Sequence, residues 1–364
     1  MGAVDFLKIS GNPYERGASH GRARSACIRA HLNSWRAALG EAGIGEPESY
    51  VSEFLRKTDF LPAIREHVPH LLLEVEGIAA GAEADFDQVL ALQFMDEEWA
   101  FRARRFATDR EKCSSAAFAG ADGSTLIGQN MDLPGYTEGH QLLLQIDGFE
   151  DTPAALVFST AGMIGLMGVN AAGIGVCVNS LPQLPCADTG VPVAFVLRKL
   201  LETRSLAEAA ALVCVLPHAT NQHYLIAEPG AVRSFEASAA GVTEYMPPNR
   251  SRVLHTNHPL ATSCREENTY RENSEARLGS LLNRLTLREV ALEDLKAALS
   301  AFDHPLHPVC RLHDAASGLK SFTTGSMVSR LSPRSETIES WVSAGPPSRG
   351  YEKFLLNKTP ERSR

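Results

Sequence analysis

The spacing of apolar residues changes about a third of the way along the chain. Before residue 113 they recur mostly at helical intervals. Leu71, Val75, Ile78, Ala79 and Ala82 fall three or four positions apart, which places them on one buried face of a helix. Asp85 is positioned to cap a further helix that turns Val89, Leu92, Met95 and Trp99 toward a core. A short opening strand and then Pro13 and Tyr14 precede a helical stretch over about 15–39, which Gly17 and Gly21 weaken as a single helix. From residue 113 on, the period shortens. Segments 116–119 and 125–128 flank the turn Ala121-Asp122-Gly123-Ser124 and predict a hairpin. Further strands are predicted over 142–146, 155–159 and, after the turn Asn170-Ala171-Ala172-Gly173, 173–178. Helical patterns over 191–214 and 270–300 are separated by strands near 222–237 and 251–256, and strands near 321–330 and 336–343 close the chain. Helices and strands in alternating blocks, joined by turns short enough for antiparallel pairing, predict a layered α+β fold.

Length and charge narrow the picture further. The 364 residues suffice for one large domain or two. A net charge of −8 argues against a nucleic-acid partner, since phosphate binding needs a basic face. Arg102, Arg104 and Arg105 do cluster, but acids flank them, as expected of a solvated helix end. The opening residues show neither a basic nor an apolar leader region, the last three do not match Ser-Lys-Leu, and no run reaches the ~18 apolar residues of a membrane span. The seven cysteines are odd in number and scattered, which fits reduced thiols and predicts a cytoplasmic protein rather than a disulfide framework.

No phosphate-binding loop, strict Gly-x-Gly-x-x-Gly or Gly-x-Ser-x-Gly elbow is present. His304, His307, Cys310 and His313 offer zinc-type donors. However, Pro305 and Pro308 prevent the helix that would stack them, and neither a metal nor a cofactor is expected. Cys113 is the unusual thiol. It stands where the charged segment 108–112 meets a predicted strand, whereas structural cysteines usually sit inside apolar runs.

Four other polar fragments share its setting at a strand end: Gly128-Gln129-Asn130-Met131-Asp132, Cys177-Val178-Asn179-Ser180, His255-Thr256-Asn257-His258 and Val309-Cys310-Arg311. Read singly, Asp132 is equally a turn cap, Asn179 and Asn257 turn residues, and Arg311 half of a surface ion pair. Taken in order, with Gly11-Asn12-Pro13-Tyr14-Glu15-Arg16-Gly17 ahead of them, they resemble the peptidase C45 family. That family includes acyl-coenzyme A:6-aminopenicillanic acid acyltransferase and β-alanyl-amine hydrolases, and is more distantly similar to the choloylglycine hydrolases.

The resemblance implies a four-layer αββα sandwich of the N-terminal-nucleophile hydrolases. It also implies a self-cleaving precursor, with a mainly helical segment 1–112 released as one fragment and the core 113–364 as the other. Cys113 would attack the carbonyl of Lys112 and then serve as nucleophile. Asp132 would orient its amino group, Asn257 and Asn179 would line the oxyanion hole, and Arg311 would favour the thiolate. The implied activity is cleavage or exchange of the acyl group of a small amide, with water, an amine or an acyl-CoA as co-substrate. Two departures stand out: Lys112 replaces the glycine usual before the nucleophile, and Gln129 stands where the choloylglycine relatives carry arginine. The second argues against bile-salt or penicillin V hydrolysis. A penicillin-type acyltransferase, an uncleaved relative acting as a binding protein, and a homo-oligomer remain open alternatives.

Overall fold

The central strands of this protein are buried along nearly their whole length, on both faces. A strand of that kind needs a second sheet on one side and helices on the other. The computed structural model describes residues 3–104, 113–263, 269–286, 289–313 and 321–358. Strand β1 (Phe6–Ile9) leads into α1 (Pro13–Ala23), α2 (Ser25–Glu41), α3 (Pro47–Lys57), α4 (Leu61–His67), α5 (Pro69–Ala82), α6 (Phe86–Gln93) and α7 (Met95–Ala103). Six strands follow: β2 (Ser114–Ala119), β3 (Thr125–Pro134), β4 (Gln141–Ile146), β5 (Ala155–Thr160), β6 (Met167–Asn170) and β7 (Gly175–Ser180). Helices α8 (Val193–Leu200) and α9 (Leu206–Val215) precede β8 (Gln222–Glu228), β9 (Ala231–Ser238), β10 (Gly241–Glu244) and β11 (Arg252–His255). Last come α10 (Thr269–Arg284), α11 (Leu292–Leu299), β12 (Ser321–Leu331), β13 (Thr337–Ser343) and β14 (Glu352–Asn357).

Among the described residues the strands form two sheets. The larger runs β1-β4-β5-β6-β7-β8-β9-β10 and the smaller β11-β2-β3-β12-β13-β14. All neighbours are antiparallel except β1 and β4, which pair in parallel and stitch the start of the chain into the larger sheet. Helices α8 and α9 cover the outer face of the larger sheet, while α10 and α11 cover the smaller one. Between the sheets, β2 and β3 lie against β7 and β8. This is the αββα layering that the resemblance implied. Alternation divides each inner strand accordingly: Ala117, Ile127 and Met131 join the core between the sheets, and Ala116, Phe118 and Leu126 join the core under α10 and α11. The sheets approach closely at Gly325, where an added Cβ would lie 2.0 Å from the Phe158 ring.

The N-terminal helices follow their sequence pattern with instructive exceptions. Asn12 caps α1 in a reciprocal capping box with Glu15, and Asp85 caps α6 as expected. The helix expected over 15–39 does break, but at Arg24, between α1 and α2, and not at a glycine. Gly17 and Gly77 serve close packing instead. A Cβ at either would sit 2.0 Å from the Glu74 carbonyl or 2.2 Å from that of Tyr14, so only glycine lets α1 and α5 touch backbone to backbone. The patterns over 86–103 and 191–214 likewise each divide into two helices.

Arg16 Nε and Arg198 Nη1 clamp the buried Glu74 carboxylate at 2.6 and 2.8 Å, tying α1, α5 and α8 together. Burial alone would push this carboxyl up, but the Arg198 and Arg16 guanidiniums outweigh it and hold it at about 2. Because the folded value is depressed, the stabilisation is present above the unfolded value of about 4.3 and lost as pH falls toward the folded one. Glu74→Gln leaves two buried guanidiniums without their anion. It should cost about 3–5 kcal/mol in urea unfolding at pH 7, and this penalty should shrink as the pH is lowered through the acid range. An unchanged unfolding midpoint would remove the clamp from the account of stability.

Candidate active site

Antiparallel register brings the polar fragments together. Ser115 of β2 stands opposite His255 of β11, so two steps further along the ladder Asn257 lies opposite Cys113. The Cys113 backbone N–H donates to Asn257 Oδ1 at 2.8 Å. On the other side of β2, Ser114 pairs with Asn130 of β3. That register carries Met131 to Cys113, with the two sulfurs 3.6 Å apart. Asp132 follows and is buried, its Oδ1 accepting a hydrogen bond of 2.7 Å from Thr323 Oγ1 of β12.

The strongest clamp on Cys113 is a residue that the motifs did not indicate. Arg277 of α10 is fully buried. Its Nη1 donates to the Cys113 carbonyl at 2.6 Å and to Ser114 Oγ at 2.9 Å, and its Nη2 donates to Asn257 Oδ1 at 2.8 Å. Its Nε is held by Asn273 Oδ1 at 2.9 Å. The signal was present in the sequence: Asn273 and Arg277 stand four apart on the stripe that continues through Leu281 and Leu285. A cation on an apolar stripe must find buried acceptors.

Arg311 occupies a different position. Its backbone N–H donates to Thr323 Oγ1 at 2.8 Å, so the main chain of Arg311 reaches Asp132 through that hydroxyl. The side-chain Nη1 is buried and has no hydrogen-bond partner among the described residues. Asn179 spans the gap between the sheets, accepting from Ser115 Oγ at 2.7 Å and sharing a 3.0 Å hydrogen bond with His223 Nδ1. Its Nδ2 is buried with no partner among the described residues. Asn257 Nδ2 donates to the Ser180 carbonyl at 2.9 Å. Gln129 bridges the sheets too, exchanging hydrogen bonds with the backbone of Val178. Lys112 lies outside the described residues.

Cys113 opens onto a narrow cleft. Its walls are largely apolar, from Met131, Leu133, Leu166 and Leu197, with Gln93, Asp96, Ser180 and Gln222 as polar exceptions. Burial pushes the Cys113 thiol well above its ordinary value and the Asp132 carboxylate adds to this; the Asp132 backbone N–H and Arg277 act in the opposite sense. These surroundings favour the neutral thiol over the thiolate. Of the four zinc-type donors, His304 and His307 stack at a ring separation of 4.8 Å, and each of the four has another partner. His307 binds Asn273, His313 meets Glu138, His304 accepts from the backbone of 306 and 307, and Cys310 faces Ser348. Among the described residues no three His, Cys, Asp or Glu side chains are grouped to hold a metal ion, and no helix is long and apolar enough to cross a membrane.

Two face-to-face sheets between helical layers define an αββα sandwich, with a buried polar cluster at the head of one inner strand. Residues 119–327, more than half of the chain, match the model of the acyl-coenzyme A:6-aminopenicillanic acid acyl-transferase family, and the chain belongs to that family. The match takes in Asp132, Asn179, Asn257, Arg277 and Arg311, and begins just after Cys113. The 40 kDa form of acyl-coenzyme A:6-aminopenicillanic-acid-acyltransferase from Emericella nidulans is 26% identical over 256 residues, 70% of this chain and 69% of that one. Similar solved structures include a Caenorhabditis elegans N-acylethanolamine-hydrolyzing acid amidase ortholog, at 14% identity and a TM-score of 0.44 over 59% of this chain and 92% of that one. Another is a variant of conjugated bile acid hydrolase from Clostridium perfringens, at 13% and 0.43 over 68% and 97%.

Arg277→Lys retains the charge but cannot reach Cys113, Ser114, Asn257 and Asn273 together. Loss of two or more charge-assisted bonds should cost about 3 kcal/mol in urea unfolding. Stability within about 0.5 kcal/mol of wild type, the usual range for an inconsequential substitution, would show that the clamp contributes little.

Proposed function

We propose that the protein is a cysteine N-terminal-nucleophile amidohydrolase or acyltransferase acting on the C–N bond of a small acylated amine or amino acid. The observation that carries this reading is the setting of Cys113. Its sulfur faces an apolar cleft while its nitrogen and carbonyl are gripped by Asn257 and Arg277. Maturation would begin with attack of Sγ on the Lys112 carbonyl carbon. The Lys112–Cys113 bond breaks, its nitrogen becomes an α-amine, and water releases segment 1–112 from the thioester. That segment then stays bound to 113–364, because β1 is a strand of the larger sheet and pairs with β4.

The freed α-amine supplies the base that a buried thiol needs. Its reference pKa is near 8, and it sits on the residue it activates. Asn257 Oδ1, which now accepts from this nitrogen, would fix the direction of its remaining lone pair. Asp132 would hold the amine as it charges. As Sγ bonds to the substrate carbonyl carbon, the thiol proton passes through the amine to the leaving nitrogen. The C–N bond breaks and an acyl-thioester remains. Water or an amine acceptor then attacks, and the sulfur leaves. Asn179 Nδ2, a buried donor without a described partner, is suited to the developing oxyanion, where one donor is worth about 3–4 kcal/mol. An acyl-CoA donor would enter by the same thioester.

Two measurements test this reading. Intact mass under denaturing conditions should show a fragment beginning at Cys113, and Cys113→Ala should remain one inactive chain. A wild-type chain that stays full length for days, or a Cys113→Ala variant that turns over amides, would sink the proposal. Asp132→Asn keeps an oxygen for Thr323 but loses the charge. It should fold normally and lose at least about 100-fold in kcat, the scale of a lost acid–base contribution. Near-normal turnover would remove Asp132 from the mechanism.

A further inference from the structure

Helix α7 presents a continuous face toward the cleft. Asp96, Trp99, Ala100 and Ala103 recur at i, i+3, i+4 and i+7, and all four line a second basin of about 670 Å³. Asp96, Trp99 and Ser180 line both this basin and the Cys113 cleft, so they stand where the two join. Ala100 and Ala103 leave room beside them.

Three observations single out this junction. Among the described residues, Asp96 is the one acidic or basic side chain on the wall of the inner cleft besides the Cys113 thiol, and its charge reaches that thiol. Its Oδ1 accepts from Gln222 Nε2 at 2.7 Å, which fixes the carboxylate in place, yet no cation pairs with it among the described residues. The basin's own cation, Arg104, is already committed to Asp188 through two bonds of 2.7 Å. Trp99 is 8% exposed, and its indole Nε1 has no hydrogen-bond partner among the described residues.

From this geometry we infer that Asp96 and Trp99 form an ammonium-binding subsite, which selects amides carrying a protonated amine a few bonds from the scissile carbonyl. A carboxylate held by a neutral amide and facing an apolar cleft is poorly compensated. Burial pushes the Asp96 carboxyl above the ordinary carboxylate range, and an incoming ammonium supplies the missing counter-charge. The indole adds a π face for the cation. A neutral alkyl group of the same size offers the carboxylate nothing. The resulting preference is for aminoacyl amides or amides of diamines over simple fatty amides. The selection of substrates rests on the acyl-thioester reading, but the binding of ammonium does not.

The experiment therefore has two arms. In the first, calorimetry and tryptophan fluorescence compare binding of n-butylammonium and 1-butanol to wild type, Asp96→Asn and Trp99→Leu. Wild type should prefer the cation at least tenfold. Asp96→Asn should reduce the ratio to within about twofold, and Trp99→Leu should reduce it by a smaller factor. Equal binding of the two probes by wild type overturns the subsite whether or not Asp96→Asn folds, and so does a preference that survives in a folded Asp96→Asn. In the second arm, wild type is offered 4-aminobutanoyl p-nitroanilide and its isostere pentanoyl p-nitroanilide. Faster turnover of the cationic substrate supports both readings. A binding preference without turnover of either overturns the acyl-thioester reading and leaves the subsite standing. Turnover of both at equal rates, with no binding preference, does the reverse.

Discussion

Asn257 Oδ1 is the atom on which the arrangement around Cys113 depends. It accepts from the Cys113 nitrogen and from Arg277 at the same distance, 2.8 Å. A buried chain segment that begins a strand leaves its first groups outside the ladder, and each needs a partner there. The shared oxygen meets the nitrogen, while Arg277 meets the carbonyl and Ser114. Neither partner comes from β3, so the head of β2 is fixed from the β11 side and from α10. The consequence is a residue held rigidly at both backbone ends while its side chain faces open space.

The gap between the sheets serves the same purpose by a different route. Sandwich interiors are usually apolar, and here the middle is, with Ile127, Phe158 and Val176 packed in one core. Toward the Cys113 end it becomes polar: Gln129 bridges to Val178, and Asn179 bridges Ser115 to His223. His223 in turn stacks on His255 at a ring separation of 3.6 Å. Burial, and then the neighbouring His255, drive His223 far below its usual value, so it remains neutral. Hydrogen bonds fix direction, whereas apolar contacts fix only distance. Such a polar layer sets the relative slide of the two sheets, and with it the aim of every strand end.

What the sequence disclosed depends on which physical rule placed each residue. Cys113, Asn257 and Asp132 were singled out by the order of their motifs and the family those motifs resemble, since position alone left Asp132 and Asn257 as turn residues. Most sheet strands from 114 to 180 were legible from period-2 patterning and short turns, although β6 was not expected and β3 runs to Pro134, and the Asp85 cap was legible because its chemistry is local. Arg277 was legible only in part: a cation on the apolar stripe of α10 had to find buried acceptors, but which ones depends on α10 lying across β2, a tertiary fact that helical periodicity does not contain. Asp96 was hidden in another way. In Asp96-Glu97-Glu98 three acids open α7 and look like favourable dipole partners, yet all three carboxyls are pushed up by burial. Gly17 and Gly21 misled in the opposite sense, because a helix-weakening residue is also the one that permits the closest helix contact. The positional value of Arg311 came through its main chain, which no side-chain motif could express.

The neutral state of the Cys113 thiol has a consequence for the choice between hydrolysis and transfer. A site that stored a thiolate would need lasting solvation of the charge, and water held there would compete for any acyl-enzyme. A thiol kept neutral by burial avoids that cost and permits a cleft walled by Leu133, Leu166 and Leu197. Charge would then exist at the sulfur, in the proposed mechanism, only while an acyl group is being gained or lost. In the proposed mechanism, the partition between water and an amine acceptor would follow from what occupies the basin beyond Asp96 and Trp99. An acceptor seated there excludes water from the thioester, while an empty basin admits it. On that argument the walls of the junction, more than the groups gripping Cys113, decide which of the two reactions the same chemistry performs.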